Sequence, residues 1–226
     1  MSRQLPLPLP TRPGYRRADL VVGAGNAEAV AWIDRWPDWP QGLLVLAGPP
    51  GCGKRHLAEV WRQRSGAPLL LAAEFGQDDP PTLASSGAAA VTAAEDLRSE
   101  AALLHLVNLL RERRGTLLLT GRDPPARWPL RLPDLRSRLL AAPLALVARP
   151  DDAMLAALAG KLAADRQLVL GAGVVEYLVA RGERRYDALA AAIAQLDQHS
   201  LAAHRAITLA LAREVLTGLR DTIAGQ

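Results

Sequence analysis

The chain has one cysteine in 226 residues, Cys52, which excludes an intramolecular disulfide and fits a reducing cytoplasm. It has no uninterrupted apolar run approaching the ~20 residues of a membrane-spanning helix, so no membrane partner is expected. The first residues alternate leucine with proline and lack the continuous apolar stretch of a signal peptide. Helix-turn-helix and zinc-finger patterns are missing, which argues that any association with DNA is indirect, and no internal repeat is found. Lysine is nearly absent: of 27 basic residues, all but Lys54 and Lys161 are arginine. The net charge of +4 is scattered along the chain and reads as a solvated surface rather than a nucleic-acid face. Half of the residues are hydrophobic and 22% are charged, the balance of a soluble globular protein with one α/β domain and a small appendage.

Against that background, residues 43–57 stand out. An apolar run, Leu43 to Ala47, leads into Gly48, Pro49, Pro50, Gly51, Cys52, Gly53 and Lys54, and Arg55, His56 and Leu57 open a helical pattern. Strand, Gly-xxxx-Gly-Lys and helix in this order form the phosphate-cradling P-loop, or Walker A pattern. The glycines let the backbone approach phosphate oxygens, and the helix start adds partial positive charge. One of only two lysines occupies the position where a compact ammonium suits the β- and γ-phosphates. Without a ligand the same stretch is a glycine-rich strand-to-helix turn. Arg55 stands where a Ser or Thr hydroxyl normally holds Mg²⁺, and a guanidinium cannot coordinate a cation. Use of Mg²⁺ is therefore in doubt, and nucleotide binding should survive better than hydrolysis.

Three regions follow from composition and periodicity. Residues 1–17 are rich in proline and arginine and read as an extended tail. Residues 18–149 alternate helical stretches at 26–35, 54–64 and 100–114 with β-rich runs at 43–47, 68–73, 88–94, 116–120 and 141–148. That alternation predicts a mainly parallel sheet covered on both faces. Residues 150–226 read as a small all-helical domain, with helices at 151–165, 174–181, 186–202 and 209–219.

Other residues gather around this plan. Glu95 and Asp96 end an apolar run as a Walker B acidic pair should, one for the Mg²⁺ shell (Asp96) and one orienting the attacking water. The same pair also reads as an acidic helix start after a strand weakened by alanine. Thr120 ends a strand where a polar residue reaches toward phosphate. Arg136 and Arg138 lie two residues apart on a short helix, and Arg184 and Arg185 start a helix in the second domain. Each alone is an ordinary surface feature, and together they form an ordered set.

That set resembles the AAA+ ATPases. Residues 34–40 (DRWPDWP), 100–108 (EAALLHLVN), 117–128 (LLLTGRDPPARW) and 132–139 (LPDLRSRL) narrow the resemblance to the Hda family, in its alphaproteobacterial form. Hda proteins are relatives of the replication initiator DnaA without its DNA-binding domain. The resemblance implies an AAA+ nucleotide-binding domain and a helical lid. It implies Walker A at 48–54, Walker B at Glu95 and Asp96, sensor 1 at Thr120, an arginine finger at Arg138 and a sensor 2 arginine at Arg184, with Arg185 the alternative. Gln4, Leu5, Leu7 and Leu9 resemble the tail motif that binds the DNA polymerase sliding clamp, a glutamine followed by leucines on a proline-extended backbone. Taken alone, those residues are a Pro-rich terminal flap. The implied function is negative regulation of replication initiation in the cytoplasm. A clamp-bound protein, itself holding ADP rather than ATP and capable of homodimerising, would promote hydrolysis of the ATP on DnaA. An active AAA+ loader or remodelling ATPase and a nucleotide-free scaffold are the alternatives.

Overall fold

The structure is a computed structural model that describes residues 17, 20–203 and 205–224. It divides into two compact units, one spanning Tyr15–Arg149 and the other Pro150–Gln226.

The first unit is a three-layer α/β domain. Its strands are β1 (Leu43–Ala47), β2 (Leu69–Leu71), β3 (Ala88–Thr92), β4 (Thr116–Gly121) and β5 (Leu144–Leu146). They pair in parallel in the order β2-β3-β4-β1-β5. Every residue of β1, β3 and β4 is buried, as expected for strands covered on both faces. Alternate side chains enter opposite layers. Leu44, Leu46 and Leu118 pack with α1 (Ala27–Asp34) and α2 (Lys54–Ser65). Val45, Leu117 and Leu119 pack with α3 (Asp79–Ser85), α4 (Glu100–Glu112) and α5 (Pro133–Ala141).

Tryptophans pin the P-loop helix from behind. Trp61 of α2 is fully buried, stacked on Trp39 at 5.3 Å and edge-on to Trp36 at 6.3 Å. Trp36 Nε1 donates to Thr116 Oγ1 at the start of β4, and Trp39 Nε1 donates to the Trp32 carbonyl. Arg64 closes α2 by donating to the Asp34 and Trp36 carbonyls. The tryptophans of residues 34–40 thus fix the entry to β1 against the helix that the P-loop starts.

Several boundaries differ from the sequence expectation. The run at 88–94 stops being strand at Thr92, because Ala93 takes a left-handed φ of 55° and residues Ala94–Asp96 form a 3₁₀ turn. The expected strands at 68–73 and 141–148 shrink to three residues each, and Ala141 belongs to α5. Helix α3 was not expected, since Pro80 and Pro81 look like a loop. They fall in its first turn, where backbone N–H groups have no intrahelical partner to lose.

The second unit is helical: α6 (Asp152–Ala164), α7 (Val174–Arg181), α8 (Tyr186–Ala203) and α9 (Leu209–Ala224). Asp151 caps α6 by accepting from the Met154 N–H at 2.8 Å. Leu155, Leu158, Leu178, Leu189, Ile193, Leu196, Leu211 and Val215 form its core. No helix among the described residues is long and apolar enough to cross a membrane.

Candidate nucleotide-binding site

Because all five strands are parallel, their carboxyl ends share one edge of the sheet, where α/β proteins place ligands. Strand β1 delivers the P-loop to that edge, and its neighbour β4 delivers Thr120 in register with Leu46. Next to β4, β3 leads into the turn that carries Glu95 and Asp96. The sheet order therefore assembles three motifs that are distant in sequence.

The loop is held by close backbone contacts. The Gly48 N–H donates to the Gly121 carbonyl at 3.2 Å, and a Cβ on Gly48 would lie 2.1 Å from the Val147 carbonyl oxygen. Only glycine fits there. Gly51 and Gly53 have φ of 72° and 103°, and a Cβ on Gly53 would meet nothing within 4 Å, so the loop is open on that side. Gly53 N-caps α2, whose first residue is Lys54. The Lys54 ammonium donates to the carbonyls of Gly48 and Pro49, across the loop. Pro49 and Pro50 complete the turn, and Cys52 is buried with its sulfur 3.7 Å from Lys54 Nζ. His56 lies on the buried side of α2, so the group it can offer a ligand is its backbone N–H. The Arg55 side chain is exposed and makes no hydrogen bond or ion pair among the described residues.

The acidic pair is engaged by a residue that the sequence reading left without a role, Arg122. Its Nε lies 3.0 Å from Glu95 Oε1 and its backbone N–H donates to Glu95 Oε2 at 3.1 Å. Its Nη2 is 3.5 Å from Asp96 Oδ2. Gly121 makes room for this arrangement, since a Cβ there would lie 2.9 Å from Glu95 Oε2 and 2.7 Å from the Trp128 ring. Thr120 is buried just before it. This donor set does not suit Mg²⁺. Residue 55 is a cation, both Glu95 oxygens already face Arg122, and no group of three His, Cys, Asp or Glu side chains gathers among the described residues.

A further wall was read only as a helix start. Asn26, buried at the head of α1, accepts from the Gly23 N–H and donates to the Val21 carbonyl, shaping the loop before it. The Ala148 N–H donates to the Gly25 carbonyl at 2.8 Å, next to Val147, whose carbonyl abuts Gly48. Residues 21–26 therefore border the P-loop through the end of β5.

Arg138 lies apart from the P-loop motifs in sequence and is firmly placed. Its Nε and Nη2 donate to the two carboxylate oxygens of Asp134 at 2.9 and 3.0 Å, and its Nη1 donates to Asn108 Oδ1 at 2.8 Å. The arginine hydrogen bond holds the Asp134 carboxyl below its ordinary range. The Arg138 side chain keeps 21% exposure, whereas Arg136 is exposed. Glu100, at the start of α4, accepts from the backbone N–H groups of Arg131 and Leu132 and so fixes the entry to α5. Asn108, Asp134 and Glu100 were given no role from sequence, although Asp134 and Arg138 have the i,i+4 spacing of a helical ion pair.

In the helical unit, Arg184 pairs with Asp152 at 2.6 Å. Arg185 is bound more tightly to its own loop, bidentate to Asp187 and 3.5 Å from Glu183. Gln4, Leu5, Leu7 and Leu9 lie outside the described residues.

With this geometry in place, the chain can be compared with known proteins. Residues 151–216 match the Hda lid domain family. The helical unit is thus similar to an Hda lid over those residues. Domain III of the Thermotoga maritima replication initiation protein DnaA is similar over 93% of this chain and 98% of its own, at 18% identity and a TM-score of 0.77. AMPPCP-bound DnaA from Aquifex aeolicus is similar over 81% of this chain and 65% of its own, at 16% identity and a TM-score of 0.69. A Thermotoga maritima RuvB mutant is similar over 78% of this chain and 62% of its own, at 15% identity and a TM-score of 0.62. At these identities the likeness is one of fold, and the fold is AAA+. Hda lid and DnaA-like fold agree with the family resemblance seen in the sequence.

Proposed function

We propose that this DnaA-related AAA+ protein with an Hda lid is a regulator of replication initiation that acts on DnaA. Its P-loop holds a nucleotide, ADP in preference to ATP, that sets its conformation. Residues 4–9 tether it to the sliding clamp, and Arg138 enters the ATP site of DnaA in trans. There the guanidinium neutralises charge developing on the γ-phosphate, an effect worth ~10³–10⁵ in rate. AMPPCP in the DnaA structure supports a nucleotide role for the shared fold. Self-association into a dimer would be set by the same nucleotide.

The observation that carries this reading is the hold on Arg138. Two residues apart on a helix, Arg136 and Arg138 project about 200° apart. Only Arg138 is tied to both α4 and α5, by Asn108 and Asp134, while its side chain stays partly exposed. Such fixing lowers the ordering cost of presenting a guanidinium to a partner's phosphate, which replaces the Asp134 carboxylate as the bidentate acceptor. For the sensor role in the lid, Arg184 is favoured over Arg185, because one exposed pair with Asp152 is easier to exchange than the Glu183–Arg185–Asp187 set.

The test is stimulation of ATP hydrolysis on DnaA by purified variants in the presence of clamp-loaded DNA. Arg138→Ala is expected to fold and bind clamp while losing stimulation, and Arg136→Ala to keep most of it. Full stimulation by Arg138→Ala removes that residue from the mechanism.

A further inference from the structure

We propose that the nucleotide site of this chain works without a divalent cation, with Arg55 supplying phosphate neutralisation and Arg122 occupying the carboxylates that would otherwise hold the metal. This rests on the reading of residues 48–54 as a nucleotide-holding loop. It goes beyond that reading by assigning the form of the ligand, a metal-free nucleoside diphosphate, and the residues that make metal unnecessary.

The first observation is at position 55. Arg55 is the second residue of α2, beside Lys54, and is exposed without a hydrogen bond or ion pair among the described residues. A hydroxyl there would be a neutral metal ligand. The guanidinium is a permanent cation with five donors and no acceptor, so it repels a divalent ion and matches phosphate oxygens. Together with Lys54 and the orphan N–H groups of the first turn of α2, it places two formal positive charges and a helix N-terminus at one end of the loop.

The second observation is independent and lies on other strands. Glu95 receives two charge-assisted or backbone contacts from Arg122, one on each carboxylate oxygen, and Asp96 faces the same guanidinium. The Glu95 side chain is only 16% exposed and is crowded against the position a Gly121 Cβ would fill. Recruiting it to a metal shell would break its pair with Arg122 and desolvate a carboxylate that is already engaged on both oxygens. Both changes act in one direction: each puts a guanidinium where metal chemistry needs a neutral or anionic oxygen. A site lacking the metal's ligands on both sides binds phosphate by arginine, lysine and backbone N–H groups, and it does not activate a water for attack.

The test is titration calorimetry of the full-length protein with ADP, in EDTA and in millimolar Mg²⁺. The two dissociation constants are expected to agree within about twofold. Arg55→Ala is expected to weaken ADP by roughly tenfold in both buffers, the loss of one charge-assisted phosphate contact. The double variant Arg55→Thr with Arg122→Ala, checked for an unchanged melting curve, is expected to bind ADP more tightly with Mg²⁺ than with EDTA. Tenfold tighter ADP binding by the unaltered protein in Mg²⁺ overturns the proposal while leaving the nucleotide reading intact. Unchanged affinity in Arg55→Ala overturns the role of Arg55. Absence of ADP binding in both buffers overturns the nucleotide reading itself, and this inference with it.

Discussion

At the scale of single residues, the candidate site depends on where side chains are missing as much as on where they are present. Gly48 lets β1 turn beneath the Val147 carbonyl, and Gly121 leaves space for the Glu95 carboxylate and the Trp128 indole. In Gly48→Ala the new methyl would meet a backbone oxygen that no rotamer change can move. This variant is expected to lose about 1–3 kcal/mol of stability and to bind ADP poorly, read by denaturant unfolding and calorimetry. Gly121→Ala meets side chains instead, which can shift. It is expected to stay folded but to displace Glu95, seen as a smaller stability loss than at Gly48. Asn108 presents a different kind of dependence. Asn108→Ala leaves the Asp134–Arg138 pair in place and removes the tie to α4. Stimulation of DnaA should fall several-fold rather than vanish, since a less ordered guanidinium still reaches the partner; a variant as active as the unaltered protein shows that the hold of Asn108 is not used.

At the scale of elements, strand positions were legible wherever burial on both faces leaves a continuous apolar run. The expected bounds of β1 and the observed Leu43–Ala47 coincide, and those of α7 also coincide with Val174–Arg181. The P-loop was legible because its glycines are forced by local geometry at Gly48, Gly51 and Gly53. What stayed hidden was long-range. Nothing local to Arg122 signals that it will face Glu95, 27 residues away in sequence, and nothing local to Asn108 signals Arg138, 30 residues away. Edge strands β2 and β5 were overextended because apolar residues continue past the last ladder pair into turns. Ala93 ended β3 by a backbone choice that composition does not encode. The ion pairs on helices make an acid-side prediction. Asp34, Asp134 and Asp187 are each held below the ordinary carboxyl range by a hydrogen bond from Arg17, Arg138 and Arg185. A lowered folded-state pKa means these pairs stabilise fully above about pH 4 and are lost as pH falls through the folded values. The contribution of these pairs should be constant between pH 7 and 5 and lost below about pH 4, read as a shallower acid-side decline of the melting temperature in Asp34→Asn. An unchanged decline in that variant shows that the Arg17–Asp34 pair carries none of it.

At the scale of the whole molecule, the proposed function separates holding a nucleotide from hydrolysing one. On the proposed reading the P-loop before α2 cradles phosphate, its surrounding donor set does not suit Mg²⁺, and Arg138 is held on a helix away from it. Deleting residues 4–9 is expected to abolish capture by the sliding clamp while the melting curve is unchanged; retained capture in a pull-down contradicts the tether. The two domains should also respond differently to ligand, with ADP slowing amide exchange chiefly at the carboxyl ends of β1 and β4 and in the first turn of α2.

The proposed function places ATP hydrolysis on the partner and not on this chain. Its most direct test is a single-turnover experiment with labelled ATP loaded separately onto each protein, in the presence of the clamp on DNA. Label on DnaA is expected to be converted to ADP faster by orders of magnitude when this chain is added, and label on this chain alone is not converted on the same timescale. Conversion of the chain's own ATP at the rate seen in the mixture would contradict it.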